Sequence, residues 1–269
     1  MSQPSYGEDR LYINGELREA EGGRRYDNFS PVTEEKIGDA ADASLGDAED
    51  ALAAARNAFD TGDWSTNHSA RVAVLRRFVQ IMKDNIEELK QAAMSEAGAT
   101  RFFADGPQAA GPVKEASWVI DYLENFQWSR DIGNNEMMGM VSRRVVEKEA
   151  AGVVAAISPW NFPIQVNLAK CMPALAAGCT VVLKSAPDTP WTAALLGRYA
   201  AQAGFPAGVF NVLTARDPAE IGNFLTTDPR VDVVSFTGST AVGRHISKNS
   251  ADTVKRVFLE LGGKSAMIV

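Results

Sequence analysis

The sequence predicts an α/β fold: a parallel sheet with flanking helices, preceded by an N-terminal helical segment and a projecting β-hairpin. Three observations carry this. From Gly152 onward, short apolar strands at 153–158, 180–184, 209–213, 231–236 and 257–261 alternate with single helices near 164–177, 192–203, 218–226 and 241–250. That alternation is the pattern of βαβ units with right-handed crossovers. Upstream, Val72, Leu75, Val79, Met82, Ile86, Leu89 and Ala93 recur by threes and fours, the stripe of an amphipathic helix. Finally, the stretch VDVVSFTGSTAVGR at 231–244 runs from a buried strand through small hydroxyl residues into a helix. Such a junction aims free N–H groups and a helix dipole at one point, which suits an anion; it is also what an ordinary capped turn looks like.

In chain order, 11–13 and 26–29 read as short strands of a small N-terminal sheet, with turn signals at Asn14-Gly15 and Gly22-Gly23. An Ala-rich helix starts at Asp47, with Leu52, Ala55 and Phe59 on one face, and stops near Thr61-Gly62. The amphipathic helix follows and ends at Gly98; a third helix is expected from about Gln108 to Trp128. Residues 131–135 read as a polar turn, and 137–149 as a β-hairpin whose charges keep an edge wet or await a partner chain. The expected organisation is therefore 1–130 strands and helices, 131–150 a projecting hairpin of the oligomerisation type, 151–263 a dinucleotide-binding βαβ region, and 264–269 the start of a further domain.

Composition narrows the function. A chain of 269 residues with 45% apolar and 23% charged residues is a globular protein of one large or two modest domains. A net charge of −7 argues against nucleic acid or an anionic membrane as a general partner. Cys171 and Cys179 offer no disulfide framework, and with only His68 and His245 besides no metal site is expected. The polar N-terminus MSQPSYGEDR is neither a signal nor a transit peptide, and the longest apolar run is too short for a membrane span. A cytoplasmic location is expected.

Ligands of a parallel sheet bind beyond the carboxyl ends of its strands. Those ends carry Ser158-Pro159-Trp160-Asn161, Lys184-Ser185-Ala186, Thr237-Gly238-Ser239 and Glu260-Leu261-Gly262-Gly263. Asn161 either donates its amide to a developing oxyanion or closes an Asx turn. Lys184 is either a ligand-binding or a solvated lysine, and Trp160 lines a cleft or simply packs. Glu260, between Leu259 and Leu261, is either paired or desolvated in a way that suits a general base. A P-loop reading of 238–243 fails, because Arg244 and His245 stand where Lys and Ser/Thr are needed.

These clusters resemble the aldehyde dehydrogenase superfamily, through SPWNFP at 158–163, LKSAPDTP around Lys184, FTGST at 236–240 and LELGGKS at 259–265. The resemblance extends from YINGE at 12–16 onward and implies a Rossmann-like fold that binds NAD or NADP. It implies catalytic roles for Asn161, the oxyanion donor, and Glu260, the base that activates hydrolytic water. It implies a cofactor site of Ile157, Ser158, Pro159, Trp160, Lys184 (on the adenosine ribose), Ser185, Ala186, Gly222, Phe236, Thr237, Gly238, Ser239 (on the pyrophosphate), Gly243, Leu261 and Gly262.

Three positions depart from the family pattern. Pro187 stands where NAD-preferring members carry a ribose-binding glutamate, so NADP is less excluded. The loop 214–218 is not Gly-rich, and its Arg216 is placed to meet a phosphate. The family's nucleophilic cysteine lies a few dozen residues beyond the glutamate, whereas nine residues follow Glu260 here. A thiolate is needed to form the hemithioacetal that releases hydride. The resulting expectation is the cofactor-binding half of an enzyme that oxidises an aldehyde to a carboxylic acid, with no turnover by this chain alone. The first strand of the substrate half is expected to begin at 265–269. Partners would be a small-molecule aldehyde and a homo-oligomer or separate C-terminal chain. The rival expectations are a non-catalytic nucleotide-binding or interaction module and a decayed fragment.

Overall fold

The computed structural model describes residues 4–268. In chain order it contains β1 (Leu11–Ile13), β2 (Glu16–Arg18), β3 (Arg25–Phe29), β4 (Lys36–Ala41), α1 (Leu45–Thr61), α2 (His68–Asp84), α3 (Ile86–Ala97), α4 (Arg101–Asp105) and α5 (Ala110–Glu124). Then come β5 (Ser129–Met137), β6 (Met140–Glu147), β7 (Val153–Ile157), α6 (Pro163–Ala176), β8 (Thr180–Lys184), α7 (Pro190–Ala203), β9 (Phe210–Leu213), α8 (Pro218–Thr227), β10 (Val233–Thr237), α9 (Thr240–Ala251) and β11 (Arg256–Glu260).

The main sheet runs β11-β10-β7-β8-β9-β1-β2, with its first five strands parallel. Period-2 alternation sends successive side chains to opposite faces. Val154 and Ala156 of β7 meet the core under α2, α3, α5, α6 and α7, while Val153, Ala155 and Ile157 meet the core under α1, α8 and α9. Covered on both faces, β7, β8 and β9 are buried at every residue, which explains their near-continuous apolar sequence. The chain reverses direction across the sheet after β9, so the β7–β10 boundary is a topological switch point, where a crevice opens.

The N-terminal strands do not form one small sheet. The hairpin β1–β2 turns at Asn14-Gly15, both at positive φ, and β1 adds antiparallel to β9. The Asn211 side chain fastens it by accepting the Asn14 N–H at 2.9 Å. β3 pairs instead with β4, a strand the sequence did not suggest. The stripe expected as one helix is broken into α2 and α3 at Asn85, whose N–H and side-chain amide both donate to the Ile81 carbonyl, at 3.0 and 2.8 Å. The apolar spacing survives the break, which is why periodicity alone passes over it. The helix expected over 108–128 is shorter, with α4 preceding it as a separate turn.

The hairpin begins earlier than expected. Residues 131–135 are not a turn but part of β5, and the reversal is at Met138-Gly139, with φ of +54° and +76°. Asp131 accepts the Gly133 N–H at 2.8 Å across a bulge. β6 is exposed throughout and β5 nearly so, so no core imposed alternation on their sequence. The strand expected at 265–269 is not formed over 265–268, and Val269 lies outside the described residues. Among the described residues no helix is long and apolar enough to cross a membrane, and no cluster of His, Cys, Asp and Glu is arranged to hold a metal ion.

Candidate functional site

Parallel register brings the polar strand ends together. Ile157 of β7 lies beside Lys184 of β8 on one side and Phe236 of β10 on the other, and Thr237 lies beside Glu260. Three backbone bonds carry the register past the strand ends: Ser158 N–H to the Lys184 carbonyl at 3.2 Å, Ser185 N–H to Leu213 at 3.2 Å, and Gly238 N–H to Glu260 at 3.0 Å. Above this edge is a cleft of about 680 Å³. Ile157, Ser158, Pro159, Trp160, Lys184, Ala186, Gly222, Phe236, Thr237 and Gly238 all line it, with α8 and α9 as its far wall.

Lys184 is 2% exposed, not solvated, and no carboxylate reaches it within salt-bridge distance among the described residues. Burial pulls its ammonium down to about 8, opposed by the more distant Asp217 and Asp188. The hydroxyls of Ser158 and Ser185 are also buried without a hydrogen-bond partner. A buried cation and two orphan hydroxyls are costly unless a ligand or solvent completes them.

The N-terminus of α9 opens beside Gly238. Ser239 is its N-cap, its hydroxyl accepting the Val242 N–H at 3.3 Å, which leaves the first N–H groups of the helix directed outward. Gly238 and Gly243 have packing reasons for lacking a side chain: a Cβ would meet the Phe236 ring at 2.4 Å and Leu261 at 2.6 Å, respectively. Gly243 is buried against Leu261, and neither it nor Ser185, Ser239, Leu261 or Gly262 belongs to the cleft lining. At Gly222, in contrast, a Cβ would meet nothing within 4 Å.

Asn161 and Glu260 lie outside the cleft lining and are exposed. Glu260 is exposed rather than buried in the sheet, because β11 is its outer strand, and it forms no salt bridge among the described residues. Asn161 is held through its backbone, whose carbonyl accepts the Gln108 side-chain amide at 2.9 Å. Arg216 is not in the cleft; it borders a neighbouring polar depression with Pro187 and Asp188. Cys171 and Cys179 are buried, and burial raises both thiols, that of Cys171 to about 12.

Sequence reasoning missed several groups here. Lys170 of α6 donates to the Ser235 hydroxyl at 3.1 Å, and burial lowers its ammonium to about 8, with Cys171 and Glu260 opposing. A lone lysine in an apolar helix was the available signal. Asp188, Asn223 and His245 also border the cleft. Asp188 lies inside the LKSAPDTP run but was given no role there, and nothing local marked Asn223 and His245, since α8 and α9 meet only in the folded chain.

A family model described as "Aldehyde dehydrogenase family" matches residues 17–269. The chain is 38% identical over 261 residues to succinate-semialdehyde dehydrogenase 1 of Schizosaccharomyces pombe, whose name specifies NADP(+); the match covers 97% of this chain and 51% of that protein. Among solved structures, a succinate-semialdehyde dehydrogenase from Burkholderia pseudomallei superposes with a TM-score of 0.90 at 35% identity, covering 98% of this chain and 54% of that one. A mutant of Aldehyde Dehydrogenase C from Pseudomonas syringae, in complex with NAD+ and octanal, matches with a TM-score of 0.86 at 34% identity over 98% of this chain and 52% of its own. The chain spans about half the length of the curated relatives it matches.

Proposed function

Because the chain belongs to the aldehyde dehydrogenase family, we propose that it is the nicotinamide-dinucleotide-binding portion of an enzyme that oxidises an aldehyde to a carboxylic acid. The observation that carries this reading is the buried, unpaired Lys184 at the floor of the cleft, beside the orphan hydroxyls of Ser158 and Ser185. These groups fit a ribose and phosphate ligand. Lys184 donates to ribose hydroxyls, the N-terminus of α9 with Ser239 faces the pyrophosphate, and Trp160 walls the reacting end. A bound dinucleotide supplies the hydride acceptor. Asn161 offers its amide to the substrate oxygen as negative charge develops there, with Gln108 holding the loop. Glu260, open to solvent, accepts a proton from attacking water.

Pro187 lacks the carboxylate that favours NAD, but Asp188 and Asp217 place negative charge near Lys184 and disfavour a 2′-phosphate. NAD is therefore expected to bind more tightly than NADP. A second reading concerns these 269 residues by themselves. Both cysteines are buried with raised thiols, which favours a chain that binds dinucleotide without turning over aldehyde. The exposed apolar side chains of the β5–β6 hairpin support self-association.

The test is calorimetric titration of the purified chain with NAD and NADP, together with an assay for aldehyde-dependent reduction of either. Saturable binding lost in Lys184→Ala, with no turnover, is the expected result. A folded chain that binds neither would sink the reading.

A further inference from the structure

Beyond the strand ends the cleft continues between α8 and α9. Ala219, Gly222, Asn223 and Thr226, spaced by threes and fours on α8, face Val242, His245 and Ile246 on α9 across it. The open space at Gly222 leaves room for a flat ring. In an otherwise apolar slot, the polar groups form one chain. His245 Nε2 lies 2.8 Å from Asn223 Oδ1 and 3.1 Å from Asn249 Nδ2, and Asn249 Nδ2 lies 3.4 Å from Thr226 Oγ1.

One ring nitrogen carries either a proton or a lone pair, so it cannot serve both amides. The shorter contact, to a carbonyl oxygen, puts the proton on Nε2 and leaves the Asn249 amide to Thr226. The imidazole then fixes which way the Asn223 amide points. Its Oδ1 keeps a second lone pair, and its Nδ2 has no partner among the described residues.

We propose that Asn223, oriented by His245, reads the adenine base of the dinucleotide. This rests on the cofactor reading above. With the reacting end beside Trp160 and Asn161, the other base falls at the α8–α9 end of the cleft. An asparagine amide offers one acceptor and one donor side by side, complementary to adenine N6 and N7. Hypoxanthine carries a carbonyl oxygen in place of the N6 amino group, which would meet Asn223 Oδ1 oxygen to oxygen. His245 is a positioning residue, acting only through the amide it holds.

The experiment is calorimetric titration of the full chain, wild type and variants, with NAD and with nicotinamide hypoxanthine dinucleotide. Wild type is expected to prefer NAD by about tenfold or more, the discrimination of a good bidentate contact. Asn223→Ala is expected to bring the two ligands within about threefold, while still binding both. His245→Ala is expected to lower the preference between those limits, a change in ratio that loss of packing alone would not produce. Equal binding by wild type, or an unchanged preference in Asn223→Ala, would overturn the base contact and leave the cofactor site standing. Failure of the wild-type chain to bind NAD and the hypoxanthine dinucleotide alike would overturn the cofactor reading and this inference together.

Discussion

The Gln108 side-chain amide donates to the Asn161 carbonyl across 2.9 Å, tying the turn before α5 to the loop after β7. The two residues are far apart in sequence, and Gln108 is 6% exposed whereas Asn161 is exposed. The loop that presents Asn161 is thus anchored from beneath by a residue of the helical segment. Gln108→Ala is expected to cost about 1 kcal/mol, the net worth of one such bond. Urea denaturation checks this.

Lys184 sets stability against binding. Its folded-state pKa of about 8 is below the ordinary 10.5, so between these values the unfolded chain holds the extra proton. Its contribution to stability therefore rises as pH increases from 8 to 10.5. Lys184→Met removes the buried charge and keeps the packing. The variant is expected to be more stable than wild type at pH 7, on the order of 3 kcal/mol at most, with the gap closing toward pH 10.5. NAD binding is expected to fall at least tenfold. Paired denaturation curves at pH 7 and 10 test the sign; a variant less stable at pH 7 would show the ammonium to be satisfied in the free chain.

Glu96 behaves oppositely. It is buried at the N-terminus of α7, where it accepts the N–H groups of Trp191 and Thr192 at 2.9 and 2.7 Å and the Asn28 amide at 3.1 Å. Burial pushes its carboxyl up to about 7, against those donors. Between 4.5 and 7 the folded chain holds the extra proton, so this group's contribution to stability declines as pH rises through that window. Glu96→Ala is expected to lose that pH dependence and to cost about 2–4 kcal/mol, because it leaves several buried donors unpaired. Thermal melts from pH 5 to 8 provide the measurement.

Cys171 and Cys179 are expected to resist alkylation by a maleimide at pH 7.5 in the native chain and to react at once in denaturant, since both are buried with raised thiols. Rapid native labelling, or a thiohemiacetal trapped on either residue, would contradict the proposal that this chain alone does not turn over aldehyde.

The hairpin presents Met138 at 90% exposure and Val141 at 67%. A self-associating chain is expected to shift toward monomer in sedimentation when Met138 and Val141 are both changed to Glu, with NAD affinity unchanged. A wild-type chain that is monomeric at every concentration would remove the hairpin from consideration as an oligomer contact.

Much of this architecture was legible in the sequence because its causes are local. The strands β7 to β11 announced themselves as short apolar runs, each separated from the next by a single helical segment. The junction 231–244 showed a strand-to-helix turn, because small hydroxyl residues between an apolar run and a helix are a local signal; the structure puts Ser239 at the cap. What the tertiary structure alone decided is how far each polar side chain is from water. Lys184 and Glu260 both sit at strand ends, yet Lys184 is buried because β8 is flanked by β7 and β9, and Glu260 is exposed because β11 has a neighbour on one side only. The same limit hid the division of α2 from α3 at Asn85, the polar strand β5 and the attachment of β1 to β9. In each, the deciding contact is a hydrogen bond or strand pairing that leaves the apolar spacing of the sequence unchanged.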